Sequence, residues 1–425
     1  MKKVSLLSIF LMGLVFVQAQ TLKPGIKEAD RVIKGVTDYD LPVELQNQSA
    51  QKTSGKLKFV VRTDFLDTLA VSVTPVKLAA KSKSIRSIQL KGLKPGIYKV
   101  TATYSSLTAS DTINFNFALD PEKMTTVDDT PADFVQYWAR AKRELAAVDP
   151  QYKLIKVDSL ATKARDCYLV EMRSLGNVLV RGWMLTPKKP GKYPAVLTVQ
   201  GFSYTLLPNR IFNDDNIVSF GLNIRGHEYS NDNINPGFDK FLTYQIGDKE
   251  QYIYRGAYMD CVRAIDFMFS QPNVDTTRVG VTGGSQGGAL TFATAALCGK
   301  RIKAAAPSIP FLSDFPEYFK VALWPSNVWR DYGKAHPKFG VAGVLNTLSY
   351  VDIKNLAPWV TASVFMSVGL VDRTCPPRIN FAAYNRLKTE KKYVIYPESD
   401  HQLPNKSSLP IDQFLKEQLG ISSTR

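Results

Sequence analysis

Two regimes of hydrophobic patterning divide the chain. From about residue 20 to 126 apolar and polar residues alternate in short runs, with β-branched and aromatic residues at many apolar positions. Residues 57–61 and 97–104 are the clearest runs, residues 84–90 and 112–117 keep a period of two, and Lys94-Pro95-Gly96 marks a turn. A turn feeding a long late strand is the pattern of a small all-β domain of the immunoglobulin-like or fibronectin-like sandwich type. Residues 120–129 are polar and contain proline, as a linker would. The period then becomes helical. Phe134, Trp138, Ala141 and Leu145 share one face of a helix whose expected cap is Thr130, with Pro131 in its first turn and Asp133 near its positive end.

From there strands alternate with helices. Strands are expected at 178–185, 195–199, 217–224, 302–306, 363–371 and 393–396, and helices at 254–268, 289–298, 380–387 and 411–419. That alternation specifies a mostly parallel sheet covered on both faces. Residues 310–358 break it, reading as an irregular, aromatic-rich insertion that includes Trp324, Trp329 and Tyr332. A cap over an active site and an oligomer contact are both consistent with such a segment.

The chemistry concentrates where one apolar strand meets a glycine-crowded turn and an Ala/Leu-rich helix. Gly283-Gly284-Ser285-Gln286-Gly287 has the G-x-S-x-G spacing of a nucleophile elbow, which holds a serine on a sharp strand-to-helix turn. With that elbow the expected architecture is an α/β-hydrolase fold over residues 127–425, preceded by the β domain over 20–126. An elbow needs an acid and then a histidine downstream. The chain has three histidines, His227, His336 and His401, and only His401 follows the elbow in a loop after a late strand. Asp372, at the tip of the 363–371 strand, can reach its imidazole and fix the tautomer. Asp400 is the rival acid but adjoins the histidine in sequence, and Glu398 is weaker still. The expected triad is therefore Ser285, Asp372 and His401.

Composition alters this picture little. Residues 1–19 read as a cleavable secretory signal: Lys2-Lys3, an apolar run from Val4 to Val17, and Val17-Gln18-Ala19 before the cut. No later apolar stretch is long enough to span a membrane. The first cysteine is Cys167, so none is available for lipid attachment near the cut, and a secreted or periplasmic protein is expected. The four cysteines lack zinc-ligand spacing, and Cys261 and Cys298 fall on apolar helix faces as small core residues, although an oxidising compartment would permit a bridge. A formal charge of +16 is dispersed along the chain, without a recognisable nucleic-acid fold, and reads as a solvated surface.

Several stretches resemble the acetyl xylan esterase and cephalosporin C deacetylase family. They are Phe241-Leu242-Thr243-Tyr244-Gln245-Ile246-Gly247-Asp248-Lys249-Glu250, the following Tyr252-Ile253-Tyr254-Arg255-Gly256, and the Gly-Gly-Ser-Gln-Gly-Gly elbow. Gly369-Leu370-Val371-Asp372-Arg373-Thr374-Cys375-Pro376-Pro377, Phe381-Ala382-Ala383-Tyr384-Asn385 and Tyr396-Pro397 followed by His401 look like that family's acid and histidine segments. The likeness covers roughly residue 131 to the C-terminus and omits the β region. It implies Ser285 as nucleophile, Asp372 as orienter and His401 as base. The backbone N–H groups of Gln286 and Phe202 would form the oxyanion hole, with Gln200-Gly201-Phe202 standing where the family tends to show His-Gly-Tyr. Arg225-Gly226-His227 stands where the family shows Arg-Gly-Gln, which makes His227 either a pocket residue or strand-end packing.

The implied reaction is removal of acetyl groups from carbohydrate esters, xylan or xylo-oligosaccharides, with no metal or cofactor. Family members often form rings with inward-facing sites, so a homo-oligomer is also implied. Two other readings compete. A serine peptidase of the prolyl-oligopeptidase kind shares the elbow and triad order, yet would carry a repeat-built propeller where this chain has about a hundred residues without a blade repeat. Its elbow would also commonly have an aromatic residue where this chain has Gln286. A non-catalytic glycan-binding protein using the β domain would have no reason to retain all three triad groups.

Overall fold

The computed structural model describes residues 20–107 and 109–421; the expected secretory signal over 1–19 lies outside them. The chain forms two compact units. Of these described residues, the smaller comprises those within 20–27, 36–93 and 99–115, and the larger those within 28–35, 94–98 and 116–421.

The smaller unit is built from β strands: β1 Gln20–Pro24, β3 Tyr39–Asn47, β4 Thr53–Thr63, β5 Thr68–Leu78, β6 Lys83–Leu90, and most of β7 Gly96–Ser106 and β8 Ser110–Leu119, with the short β2 at Val32–Ile33 belonging to the larger unit. One sheet has the order β1-β3-β6 and the other β2-β8-β7-β4-β5. Leu41, Val43 and Leu45 on β3 and Leu57, Phe59 and Val61 on β4 are each at most 1% exposed. Their period of two puts one apolar row on the inner face of each sheet, while the residues between them stay wetter. At the start of β7 the Tyr98 hydroxyl donates to Lys94 O at 2.6 Å and accepts from Lys94 N at 3.1 Å. A tyrosine bonding back to the chain just upstream, at the start of a sandwich's penultimate strand, is a mark of this class of sandwich.

The larger unit is organised by a nine-stranded sheet: β9 Lys153–Lys156, β10 Arg165–Ser174, β11 Val178–Pro187, β12 Tyr193–Val199, β13 Val218–Asn223, β14 Val274–Gly284, β15 Ala304–Ser308, β16 Ser363–Gly369 and β17 Lys391–Tyr396. Its order is β17-β16-β15-β14-β12-β13-β11-β10-β9. The strands β12 to β17 run parallel, and β11, β10 and β9 join antiparallel at one edge. Every residue of β13 is buried, as is nearly all of β12, which is the continuous apolar run that a parallel strand covered on both faces requires. Helices α1 Phe134–Ala146, α3 Ile253–Ser270, α4 Gln286–Cys298, α9 Pro377–Arg386 and α10 Ser408–Leu419 accompany it, with the single turn α2 at Phe238–Phe241. This is an α/β-hydrolase fold. The chain steps from β12 to β13 on one side and later to β14 on the other, so β12 and β14 flank the point where strand order reverses. Ligand sites in open α/β sheets form at the carboxyl ends of such strands.

Two expectations are corrected, and two strands are added. The helix of residues 134–146 is preceded by Asp133, and Thr130 does not cap it; the Thr130 hydroxyl instead engages Asp128 Oδ1 at 2.6 Å and Asn355 Oδ1 at 3.1 Å. The strands β9 and β10 have no counterpart in the sequence reading, because Tyr168-Leu169-Val170 interrupts the alternation of β10. The insertion over 310–358 is largely helical: α5 Phe315–Val321, α6 Ser326–Ala335, α7 Gly340–Ser349 and α8 Ile353–Leu356. Pro316, Pro325, Pro337 and Gly340 divide it into helices of ten residues or fewer, too short for a helical period to stand out. Among the described residues no helix is long and apolar enough to cross a membrane.

Candidate active site

The elbow follows from backbone sterics. Ser285, between β14 and α4, adopts φ 59° and ψ −118°, a conformation costly for a residue with a Cβ and held here from both sides. Its N–H donates to Ser308 O at 3.0 Å, and its carbonyl accepts from Ala289 N and Phe311 N, both at 3.1 Å. Glycine is required around it because the neighbouring chain is too close for side chains. A Cβ on Gly283 would lie 2.5 Å from Val199 O, and one on Gly287 only 2.4 Å from the same oxygen. The crowding is thus between the elbow and the end of β12, the two strands at the switch point.

Asp372 follows β16 and His401 follows β17, so both arrive at the carboxyl edge beside the elbow. His401 Nε2 lies 2.9 Å from Ser285 Oγ, and His401 Nδ1 lies 2.9 Å from Asp372 Oδ2. The partners fix the resting tautomer: the serine hydroxyl donates to Nε2, and the ring donates its Nδ1 proton to the carboxylate. The other carboxylate oxygen of Asp372 accepts from Thr374 N and Cys375 N, both at 2.8 Å, so its orientation does not depend on the histidine. Its side chain is fully buried. The histidine loop is seated over Gly369, where a Cβ would meet Asp400 O at 2.5 Å.

The rival acids lie elsewhere. Asp400 faces Arg373 at 4.0 Å with half its side chain exposed, and Glu398 pairs with Arg31. Of the other histidines, His336 is exposed and stacks on Tyr332 with ring centroids 4.0 Å apart. His227 is brought to the site, with its ring 4.4 Å from that of Phe241 and 6.0 Å from that of Phe202. Burial lowers its pKa to about 4, so it is neutral near pH 7.

The proposed oxyanion residues are held by side-chain contacts that the sequence does not show. Gln286 is fully buried, and its amide oxygen accepts from the Tyr254 hydroxyl at 2.8 Å. Its Nε2 lies 3.4 Å from His227 Nε2, an arrangement that suits an imidazole carrying its proton on Nδ1. Gln200, where the family pattern has histidine, bridges two strand ends: Nε2 donates to Tyr204 O at 2.8 Å and Oε1 accepts from Ile224 N at 2.7 Å. Both ends of this buried amide are thereby satisfied, and the loop carrying Phe202 is tied to the end of β13. Spacing alone could not reveal these contacts, which depend on strand register.

Phe202 and Ser285 line one recess with Leu242, Phe311, Trp324, Pro325 and Thr374, a cavity of only about 20 Å³. That is room for one or two water-sized groups. Cys375 is also at the site. Burial pushes its thiol well above the ordinary value, the Asp372 charge adds to the effect, and a hydrogen bond with Ser285 opposes it. Ligand atoms of Asp372, Cys375 and His401 lie within 4.8 Å of one another. Because the carboxylate and imidazole are already engaged with each other and with Ser285, this grouping reads as a hydrogen-bonded line. All four cysteines are free and buried, which removes the bridge considered for Cys261 and Cys298.

Comparison with known proteins adds a lineage to this geometry. A family model described as acetyl xylan esterase (AXE1) matches residues 114–417. The acetyl esterase Axe7A of Xylanibacter ruminicola is 30% identical over 311 residues, which is 70% of either chain. Among solved structures, acetyl xylan esterase 1 from Thermoanaerobacterium sp. JW/SL YS485 is similar at a TM-score of 0.62 and 27% identity, covering 70% of this chain and 97% of that one. The acetyl xylan esterase from Paenibacillus sp. R4 gives 0.65 and 28%, covering 70% and 98%.

Proposed function

The chain belongs to the acetyl xylan esterase family, and from that premise we propose a serine esterase that deacetylates xylan or xylo-oligosaccharides through an acyl-enzyme. Family membership makes it a carboxylic ester hydrolase that removes acetyl groups. The observation that carries the serine mechanism is the unbroken line from Ser285 Oγ through His401 to Asp372, with both hydrogen bonds at 2.9 Å.

In this reading Ser285 Oγ attacks the acetyl carbonyl carbon as its proton passes to His401 Nε2. Asp372 stabilises the imidazolium and holds the ring. The carbonyl oxygen takes the negative charge and is met by the N–H groups of Gln286 and Phe202; loss of one such donor typically costs about 3 kcal/mol of barrier. Collapse expels the sugar alkoxide, which recovers the proton from Nε2. Water then repeats the sequence on the acetyl-serine, releasing acetate and restoring the hydroxyl. No step calls for a metal or cofactor. The recess beside Ser285, at about 20 Å³, suits a methyl group and little more.

The same reading treats residues 20–126 as a separate β domain and 127–425 as the catalytic domain. It places the mature protein outside the cytoplasm, in the periplasm or secreted, on the strength of the leader sequence. The test is acetate release from acetylated xylo-oligosaccharides beside a proline-containing peptide, with Ser285→Ala as the blank. Acetate release that disappears in the variant is expected. Peptide cleavage without acetate release would overturn the substrate assignment, and acetate release surviving in the variant would overturn the mechanism.

A further inference from the structure

The chain forms a second, roomier cleft of about 320 Å³, lined by Phe202, His227, Glu228, Asn231, Asn235 and Phe238 among others. Phe202 lines both this cleft and the recess that Ser285 lines, so the two spaces share a wall. Its volume is at the small end of ligand sites, and its lining combines aromatic faces with a few polar groups. Phe238 is 57% exposed, with its ring 4.9 Å from that of Phe202.

The polar wall is built and held. The turn carrying His227 and Glu228 is closed by Gly226 N to Ser230 O at 2.9 Å and Ser230 N to His227 O at 2.8 Å. Arg225, just before it, is locked by a buried pair with Asp260, Nη2 to Oδ1 at 2.7 Å. Glu228 Oε2 accepts from Thr205 Oγ1 at 2.8 Å, which fixes the carboxylate at the rim. In the next stretch the residues divide their tasks. Asp232 pairs with Arg181, and Asn233 Oδ1 accepts from Leu179 N at 2.9 Å, fastening the segment to β11. Asn231 and Asn235, on either side of that anchor, line the cleft.

We propose that this cleft is the subsite for the leaving sugar, with a pyranose ring lying against Phe238 and its hydroxyls hydrogen-bonded by Asn231, Asn235 and Glu228. The chemistry fits an uncharged polyol: an aromatic face for the C–H side of the ring, and amide and carboxylate groups that together donate and accept. A carboxylate at the rim also works against anionic leaving groups. This subsite rests on the deacetylase reading above, and names the part of the substrate that the small acyl recess cannot hold.

The experiment compares acetylated xylobiose with 4-nitrophenyl acetate, whose leaving group is no sugar, in the full-length protein and in Phe238→Ala and Asn231→Ala. Each variant is expected to lower kcat/KM for the sugar ester about tenfold relative to the aryl ester, mainly through KM. Phe238 is largely exposed, so its loss does not threaten the fold. Equal losses on both esters, or an unchanged ratio, overturn the subsite while leaving the deacetylase reading intact. Wild-type protein that hydrolyses the aryl ester and no acetylated sugar overturns the carbohydrate reading and the subsite with it.

Discussion

Asp372 Oδ2 stands 2.9 Å from His401 Nδ1, whereas Asp400, the residue next to that histidine, turns its carboxylate toward Arg373. The difference comes from strand geometry. A residue at the tip of β16 projects along the sheet edge to meet a loop from β17, and an adjacent residue would have to fold back across its own backbone. Asp372→Asn keeps the shape and the hydrogen bonds from Thr374 N and Cys375 N but favours the wrong imidazole tautomer. Turnover of 4-nitrophenyl acetate is expected to fall by about three to four orders of magnitude. Asp400→Asn is expected to leave it within about twofold. Equal effects in steady-state assays would remove Asp372 from its role.

Gly287 offers a test of the elbow that does not touch the reacting groups. A methyl placed there meets Val199 O at 2.4 Å and Gln200 backbone atoms at 3.2 Å, none of which can swing away as a side-chain tip can. Gly287→Ala must therefore push the end of β12 from α4, and the loop it displaces carries Phe202. Overpacking of this kind costs about 1–3 kcal/mol of stability. Misplacing one oxyanion donor lowers kcat by about a hundredfold or more. Thermal unfolding and aryl acetate turnover measured together check it; normal turnover in a destabilised variant would separate this packing from the oxyanion hole.

Much of this site was legible from local signals. The elbow is a five-residue pattern between an apolar strand and an apolar helix, and acid and histidine each follow a strand of β-branched or apolar residues. What could not be read depends on register and on burial of polar groups. Tyr254 and Gln286 are 32 residues apart and Gln200 and Ile224 are 24 apart, yet each pair makes one hydrogen bond. Cys375 read as one of four scattered thiols until the loop after Asp372 turned it toward Ser285. Trp324, Trp329 and Tyr332 shared one description as aromatic residues of an insertion. In the fold Trp329 is fully buried among Phe311, Phe315 and Tyr318, whereas Trp324 is 42% exposed at the acyl recess. Proline and glycine punctuation hid α6, the helix that carries Trp329 and Tyr332 and begins just after Trp324.

His227 predicts a pH dependence of stability. Burial lowers its folded-state pKa to about 4, below the roughly 6.5 of an unfolded chain. Between those values the unfolded chain takes up a proton that the folded chain refuses, so the contribution is full above about pH 6.5 and is lost as pH falls toward 4. At pH 5 the loss is about 2 kcal/mol. His227→Gln, which keeps a polar group near Gln286, is expected to flatten the change. Urea unfolding of both proteins at pH 7.5 and pH 5 measures it. An identical pH-dependent difference in the two would show that other groups carry the acid sensitivity.

Trp324 and Trp329, five residues apart, are expected to fail in opposite ways. Trp329 is fully buried, and its Nε1 donates to Leu242 O at 2.8 Å beside the Tyr252 hydroxyl at 2.9 Å, so Trp329→Ala leaves a cavity and takes one of two donors from that carbonyl. The cost is about 3–5 kcal/mol, read as a large drop in Tm. Trp324 covers the recess of about 20 Å³ beside Ser285 and packs at 6.5 Å from the Phe202 ring. Removing it opens that space with little loss of buried contact. Since one methylene is worth about 10- to 200-fold in a hydrophobic pocket, Trp324→Ala is expected to raise the butyrate-to-acetate ratio of kcat/KM at least tenfold. Aryl esters of acetate, propionate and butyrate give that ratio directly. A ratio that stays put while Tm falls would make Trp324 a packing residue and leave the acetyl preference to Phe202, Leu242 and Phe311.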